Sequence, residues 1–269
     1  MEYSECKIDQ NIKIDQDNGI SWITLNNPAK KNALSISMIN ELIENLKAIA
    51  EDERQRVVVL QGADGVFCSG ADLEWMRAGI QQNMNENMED ARLFYKLYST
   101  LYYFPKPIIA WVQKFAFGGA TGLIACADYT LAEKDSLFGF PEVKLGLVPG
   151  TIAPFIVKKI GFNHSKALML SGETFKAKKA KKTGLINEII IPSESEDRIR
   201  KIAEQFMKNS PEAIASTKHL LNRIVDNGEF TDDLANLCCQ TIASARISDE
   251  GQEGVTAFFE KRKPSWIKE

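Results

Sequence analysis

The sequence has few of the side chains that most metal centres and many nucleophilic enzymes require. Its 269 residues include only two histidines, His164 and His219. This count nearly excludes zinc or iron centres with histidine ligands, and any Ser-His or Cys-His catalyst would depend on one isolated residue. His164 is predicted to lie in a turn and His219 within a helix, both as surface or packing residues. We therefore expect no bound metal, and proton transfer by a carboxylate.

Paired cysteines are missing as well. The cysteines are odd in number and none forms a CxxC pair: Cys6, Cys68, Cys126, Cys238 and Cys239. This pattern argues against a disulfide framework and against a zinc ribbon, and it suits a reducing compartment. The first ten residues, MEYSECKIDQ, are acidic and polar, unlike a secretory or transit peptide. We therefore expect a cytoplasmic protein.

Long apolar runs and an excess of positive charge are also missing. No stretch of about 18 apolar residues occurs, so no membrane span is expected. The 33 Lys and Arg residues stand against 36 Asp and Glu, for a net charge of −3. A slightly acidic protein has no broad attraction to nucleic acid. The lysine-rich run at 176–182 is interpreted as a solvated helix face.

Strand and helix patterns alternate through the first two thirds of the chain. Residues 12–26 alternate as a hairpin around Asp17-Asn18-Gly19. Apolar residues at three- and four-residue steps predict a helix from Ser35 to near Glu51. Val57–Leu60 is a continuous apolar run, typical of a strand buried on both faces. Later segments predict a helix over 88–103, a strand over 108–112 and a short helix over 118–127.

After Pro192 the pattern is helical throughout. Ser193 and Glu196 have the spacing of a capping box, and Ser210 before Pro211 is typical of a helix N-terminus. We therefore predict a mixed α/β core over residues 1–195, followed by a helical C-terminal region over residues 196–269.

Two glycine-rich turns follow predicted strands and precede predicted helices. The first is Cys68-Ser69-Gly70-Ala71-Asp72 and the second spans Phe117–Gly122. Helix N-termini present unpaired N–H groups and partial positive charge, so two such turns facing each other would form a two-donor oxyanion hole. For each turn taken alone, the alternative is that its glycines only allow a tight connection between a strand and a helix. Neither has the spacing of a nucleotide-binding loop.

A third segment, at 138–150, is an apolar loop that holds one carboxylate, Glu142. Burial of a carboxylate in such surroundings raises its pKa and suits it to general acid or base catalysis. The plainer alternative is an exposed glutamate between two turns.

Together these segments resemble a known family, the enoyl-CoA hydratase/isomerase (crotonase) superfamily, and most closely its bacterial methylglutaconyl-CoA hydratase-like members. The resemblance implies an α/β fold, a ClpP-like spiral of ββα units. It also implies that the helical C-terminal region packs subunits into a homotrimer or a dimer of trimers. The motifs that carry it are NNPAKKNAL (26–34), FCSGADL (67–73), FGGATGLIACADY (117–129), FGFPEVKLGLVPG (138–150) and GVTAFFEKRKPSW (254–266).

The resemblance implies roles for individual residues. The N–H groups of Ala71 and Gly119 match the pair that holds the thioester oxygen, and Glu142 matches the acid/base at the α-carbon. The substrate is a coenzyme A thioester, with no permanently bound cofactor and no metal. The residues that match the family's coenzyme A contacts are Lys30, Lys31, Ser69, Ala71, Leu73, Phe258 and Lys261. For the three lysines, the alternative is an ordinary solvated surface charge.

One departure from the family affects the reaction. Its hydratases carry a second glutamate three residues beyond the position of Gly119, and here that residue is Gly122. The same loss is seen in Δ3,Δ2-enoyl-CoA isomerases and in the methylglutaconyl-CoA hydratase-like branch of leucine degradation. Trp75 and Met76 favour that branch, and both are expected at the acyl pocket with Gly122.

The leading prediction is a hydro-lyase, an enoyl-CoA hydratase acting on a short or branched enoyl-CoA, with 3-methylglutaconyl-CoA as one candidate. The first alternative is a Δ3,Δ2-enoyl-CoA isomerase with Glu142 as its sole proton shuttle. A non-catalytic acyl-CoA-binding or RNA-binding protein is the alternative of another class, although no nucleic-acid partner is expected.

Overall fold

Two sheets organise the protein, and the computed structural model describes residues 11–267 apart from the side chain at 227. The strands are β1 (Ile12–Asp17), β2 (Ile20–Leu25), β3 (Val57–Gly62), β4 (Ile108–Val112), β5 (Phe115–Phe117), β6 (Tyr129–Glu133), β7 (Leu137–Gly139), β8 (Thr174–Lys176) and β9 (Glu188–Ile190). The larger sheet has the order β1-β2-β3-β4-β6-β9, with only its β1–β2 pair antiparallel. The smaller sheet has the order β5-β7-β8.

Helices cover the larger sheet and make up most of the C-terminal part. They are α1 (Ile36–Glu51), α2 (Leu73–Gly79), α3 (Met84–Tyr102), α4 (Gly119–Cys126), α5 (Ala153–Ser171), α6 (Ala177–Thr183), α7 (Ser195–Met207), α8 (Pro211–Asn227), α9 (Asp232–Ile247) and α10 (Asp249–Glu260). Within residues 11–267, none of them combines the length and the apolar character needed to cross a bilayer.

Alternate residues of the central strands face opposite sides of the larger sheet. In β3, Val58 and Leu60 join the main core with α1, α3, α4 and α5, whereas Val57 and Val59 join a smaller core covered by α7. All four side chains are buried, which accounts for the continuous apolar run. Helix α7, which begins at Ser195, therefore covers one face of the sheet. The division of the chain between residues 195 and 196 stays a prediction.

Several local predictions are confirmed. The predicted hairpin reverses its direction at Asn18 and Gly19, where φ is +48° and +81°. The helix predicted from Ser35 to near Glu51 is α1, and the side chain of Ser35 accepts the Met38 N–H at its start. Ser210 caps α8, whose first residue is a proline. Each of these features depends on residues that are neighbours in the chain.

The predicted Ser193–Glu196 capping box is wrong. Residues Pro192–Glu194 form a single 3-10 turn, and α7 begins at Ser195 with no side-chain capping bond. The proline starts a tighter turn than the capping box requires, so the α-helix begins at Ser195, one residue later than a cap at Ser193 predicts.

The helix predicted to start near residue 88 begins at Met84. Asn83 accepts the N–H groups of Asn85 and Glu86, and the Glu86 side chain accepts the Asn83 N–H. This complete capping box provides acceptors for the first N–H groups of α3. The helix therefore begins about one turn before the position that the spacing of apolar residues predicts.

The smaller sheet was not predicted, because its strands have only three residues each. It sets the positions of two of the predicted segments, since β5 and β7 are parallel and pair Phe117 with Gly139. The chain leaves β5 into the second glycine turn and leaves β7 toward Glu142. Parallel strands that end together therefore bring Gly118 and Glu142 to the same edge.

Candidate active site

The first glycine turn is held by strand-like hydrogen bonds on one side. The Leu34 N–H donates to the Gly70 carbonyl oxygen at 2.7 Å, and the Asp72 N–H donates to the Leu34 oxygen at 3.1 Å. Ala71 lies opposite Leu34 in this parallel bridge. Backbone groups alternate along an extended chain, so the Ala71 N–H points away from Leu34. Nothing within residues 11–267 accepts it.

Gly70 brings the first turn against the second. Its φ is +100°, a conformation that strains any residue with a side chain. A Cβ at this position would lie 2.6 Å from the carbonyl oxygen of Phe117 and 3.7 Å from the Gly119 nitrogen. A carbonyl oxygen of the backbone cannot move aside easily. Only glycine therefore allows the two turns to touch.

The second turn supplies another free N–H. Gly118 has a φ of +50° and a ψ of −122°, and Gly119 is the first residue of α4. The first N–H of a helix has no acceptor within the helix, and the helix dipole gives it partial positive charge. A Cβ on Gly119 would lie 3.8 Å from the Ala71 nitrogen. Two N–H groups with no acceptor among residues 11–267 therefore lie close together, and stabilisation of a developing oxyanion requires such a pair.

Glu142 lies beside this N–H pair, in a 3-10 segment over Pro141–Leu145. A Cβ on Gly118 would lie 3.0 Å from its Oε1 atom. Its Oε2 atom is buried and has no hydrogen-bond partner in the described part of the chain. Burial raises the pKa of Glu142 above its usual range, because the charged form loses water. The group is therefore well suited to receive and return a proton.

Residue 122 has no space for a side chain. A Cβ on Gly122 would lie 2.6 Å from Cγ2 of Ile152, and 2.7 and 2.9 Å from Cε1 and Cζ of Tyr98. Both neighbouring side chains are buried. Their atoms occupy the place from which a second carboxylate would extend. Sequence reasoning missed Tyr98 because it falls on the buried face of α3 at ordinary core spacing.

A cavity of about 460 Å³ opens next to the first turn. Its lining includes five of the residues predicted to contact coenzyme A: Lys30, Lys31, Ser69, Ala71 and Leu73. Ala29, Ala33, Asp72 and Glu74 complete the lining. The two other predicted contacts, Phe258 and Lys261, are not among these residues and lie at the C-terminal end of α10. The chain thus brings together five of the seven.

The two lysines at this cavity differ in their surroundings. Lys30 Nζ donates to Asp72 Oδ2 at 2.8 Å and to Glu74 Oε2 at 2.5 Å. The bonds to Asp72 and then to Glu74 raise the pKa of Lys30. Lys31 is exposed and makes no ion pair within residues 11–267. Lys31 is therefore the more available cation for a phosphate.

Asp72 has a structural role at the same turn. It accepts the N–H groups of Glu74 and Trp75 at 2.7 and 3.3 Å, which caps α2. Burial works to raise its pKa, but the Lys30 ammonium and the two backbone N–H groups lower it overall. The carboxylate is therefore kept ionised, and both of its oxygens already accept hydrogen bonds.

Trp75 and Met76 lie half-buried on α2. The Trp75 indole N–H donates to Asp90 Oδ2 at 2.8 Å, and its ring lies 4.7 Å from that of Phe94. Phe94 is in turn 6.5 Å from Tyr98. A row of aromatic rings thus connects α2 with the N–H pair, while the assignment of Trp75 and Met76 to the acyl pocket stays a prediction.

Other catalytic groups are poorly placed. Cys68 is buried, and burial raises its pKa to about 12, so a thiolate does not form at neutral pH. His164 is helical and lies in α5, three residues after Gly161, whose φ of +74° and ψ of 162° break the helix. The predicted turn therefore lies at Gly161 and not at His164. Cys6 lies outside the described residues. Within residues 11–267, no group of three His, Cys, Asp or Glu side chains is arranged to hold a metal ion.

Comparison with known proteins decides the family. The family model described as enoyl-CoA hydratase/isomerase matches residues 15–269. The chain belongs to the enoyl-CoA hydratase/isomerase family. The crystal structure of an enoyl-CoA hydratase from Shewanella pealeana superposes with a TM-score of 0.92 at 35% identity, over 96% of this chain and 97% of that one. The predicted crotonase fold is confirmed.

Curated relatives carry hydratase names. A short-chain-enoyl-CoA hydratase from Clostridium acetobutylicum is 29% identical over 257 residues, which cover 94% of this chain and 96% of the relative. A 2,3-dehydroadipyl-CoA hydratase from Escherichia coli is 28% identical over 245 residues, which cover 91% and 93%. Membership in this family supports an enzyme that acts on coenzyme A thioesters, whereas the likeness to methylglutaconyl-CoA hydratases stays a prediction.

Proposed function

We propose that the protein is an enoyl-CoA hydratase acting on a short or branched enoyl-CoA. One observation carries the proposal: the backbone nitrogens of Ala71 and Gly119 lie close together, beside the carboxylate of Glu142. The thioester oxygen accepts both N–H groups, and Glu142 faces the carbons next to the carbonyl. Removing one donor from such a pair typically costs about 3 kcal/mol of transition-state stabilisation.

In this proposal Glu142 carries out both proton transfers. Its carboxylate takes a proton from a water molecule while the water oxygen bonds the β-carbon. The electron pair of the double bond moves to the thioester as an enolate, which the two N–H groups stabilise. The α-carbon then takes the proton from Glu142, so one water is added and the carboxylate is restored.

A short or branched acyl group fits the crowded wall of the site. Tyr98 and Ile152 fill the space beside Gly122, and in this proposal Trp75 and Met76 line the outer part of the acyl pocket. The relative from Clostridium acetobutylicum is named for short-chain substrates. Within this class we propose 3-methylglutaconyl-CoA, an intermediate of leucine degradation, as the branched candidate.

A second candidate is a Δ3,Δ2-enoyl-CoA isomerase. The observation that favours it is the filled space at Gly122, which leaves no room for a second carboxylate at that residue. Moving a proton between two carbons of a dienolate needs one acid/base, the oxyanion-binding pair and no water. Glu142 supplies the acid/base.

Water labelled with ¹⁸O separates the two reactions. The purified protein is incubated in it with crotonyl-CoA, 3-methylglutaconyl-CoA and a 3-enoyl-CoA, and the products are analysed by mass spectrometry. Label in a 3-hydroxyacyl product supports hydration. Conversion of the 3-enoyl to the 2-enoyl thioester without label supports isomerisation. Binding of every thioester without turnover contradicts both reactions.

The Lys31→Ala variant tests the coenzyme A cavity. We expect KM to rise about 3-fold with kcat unchanged, because a surface cation makes a modest contribution to ground state and transition state alike. Steady-state kinetics at two salt concentrations measure the effect, which shrinks at high salt. Lys178→Ala, an exposed lysine outside the cavity lining, is the matched control. An unchanged KM in the Lys31 variant contradicts a phosphate contact.

The helical region over 196–269 is proposed to assemble the protein as a homotrimer or a dimer of trimers. Large apolar side chains are exposed there, with Ile247, Phe258 and Phe259 at 80%, 78% and 76% of their full accessibility. Exposed apolar clusters of this kind favour association. In such an assembly Phe258 and Lys261 reach the coenzyme A cavity of a neighbouring subunit. Sedimentation equilibrium measures the stoichiometry.

A further inference from the structure

Tyr98 places a hydroxyl against the oxyanion-binding residues. The side chain is fully buried, and its hydroxyl donates to the Gly119 carbonyl oxygen at 3.0 Å. A Cβ on Gly119 would lie 2.9 Å from the Tyr98 oxygen and 3.8 Å from the Ala71 nitrogen. The hydroxyl therefore lies next to the residue that supplies half of the N–H pair.

The same ring also takes the place of a side chain at residue 122. The ring atom Cζ, which bears the hydroxyl, and its neighbour Cε1 lie 2.9 and 2.7 Å from a Cβ built on Gly122. Any polar group that reached the substrate from residue 122 would pass through this space. The phenol of Tyr98 therefore occupies the place of a side chain at residue 122.

The chemical state of Tyr98 suits a neutral hydrogen-bonding group. Burial, then the neighbouring Cys68, Cys126 and Glu142, raises the pKa of Tyr98 well above its ordinary value. The hydroxyl thus stays protonated at neutral pH. It has one donor, which the Gly119 oxygen accepts, and two lone pairs. No donor within residues 11–267 uses those lone pairs.

Hydration needs a water that is held by more than one group. The Glu142 carboxylate accepts one O–H of that water, and the second O–H needs another acceptor if the oxygen is to face the β-carbon. We propose that the hydroxyl of Tyr98 accepts the second O–H of the attacking water. The inference rests on the proposed hydratase function. Tyr98 remains hydrogen-bonded to Gly119 throughout, and it neither gains nor loses a proton.

The Tyr98→Phe variant tests this role because it keeps the ring and removes only the hydroxyl. We expect kcat for hydration of crotonyl-CoA to fall about 100-fold, the scale of a misplaced reactant. KM is expected to change little, since the thioester contacts remain.

A second reaction of the same variant reports whether the rest of the site is intact. Exchange of the α-protons of butyryl-CoA in D2O, followed by NMR, needs the N–H pair and Glu142 but no water held for attack. We expect this exchange to change less than about 3-fold in Tyr98→Phe. Tyr102→Phe removes a hydroxyl one helical turn further along α3 and serves as the matched control, with both rates unchanged.

The outcomes separate the inference from the proposed function. Equal hydration rates in the parent and Tyr98→Phe overturn the role of Tyr98 alone, as does an equal loss of hydration and exchange, which would indicate a purely structural contact. A parent protein that incorporates no ¹⁸O overturns the proposed function and the role of Tyr98 with it. Selective loss of hydration supports both.

Discussion

Replacing Glu142 with glutamine is expected to lower kcat with enoyl-CoA substrates by about 1,000-fold, the scale of a lost general acid–base. The amide has the shape of the carboxylate but cannot carry the proton. It fits without loss of a bond, because Oε2 has no partner among the described residues. Thioester affinity, measured by calorimetry with butyryl-CoA, is expected to stay within about 3-fold. Full turnover in Glu142→Gln, with every substrate the parent consumes, contradicts the mechanism.

The pH dependence of the parent gives an independent measure of the same group. Glu142 must be ionised to take a proton from water, and burial raises its pKa above the ordinary 4.5. We expect kcat/KM to fall as pH falls through this raised pKa, and the residual rate of Glu142→Gln to lack that acidic limb. Glu133→Gln is the control, since burial also raises the pKa of Glu133 but this residue lies on β6, outside the site.

Gly70→Ala is expected to have the second largest effect. The added Cβ would lie 2.6 Å from the Phe117 carbonyl oxygen, so the two turns must separate and the N–H groups of Ala71 and Gly119 must diverge. Loss of one oxyanion donor lowers kcat by about 100-fold or more. The positive φ adds about 1–3 kcal/mol of strain to the folded state. Steady-state kinetics and urea unfolding measure the two effects.

Gly65→Ala separates strain from catalysis. Gly65 also has a positive φ, +65°, but no atom lies within 4 Å of a Cβ built there. We expect a loss of stability of about 1 kcal/mol from the backbone alone and an unchanged kcat. If Gly70→Ala kept the parent's kcat, contact between the turns would have no part in the reaction.

Much of the fold could be predicted because its signals are local. The turn at Asn18 and Gly19 and the capping residue Ser35 each act on neighbours within a few residues. The same holds for the two glycine turns taken singly. The contact between the two turns could not be derived from spacing, because Gly70 and Phe117 are far apart in the chain. The contact is also made to a backbone oxygen, which is the same for every residue type.

Two adjacent lysines show a second limit of prediction from the sequence. In the sequence, Lys30 and Lys31 are equivalent candidates for a phosphate contact. Their difference comes from Asp72 and Glu74, which reach only Lys30 after α2 folds back on this loop. Tyr98 shows the same limit, because a buried tyrosine on an apolar helix face looks like core until its partners are known.

The tight fit at Gly122 also constrains the order in which this site can accept substitutions. A glutamate at 122 overlaps Tyr98 and Ile152 from its first side-chain atom, so it is rejected while both remain. A smaller residue at 98 removes part of that overlap but gives up the buried hydroxyl. The order that avoids the overlap therefore replaces Tyr98 first and Gly122 second, and it passes through a protein that has neither the phenol nor a second carboxylate.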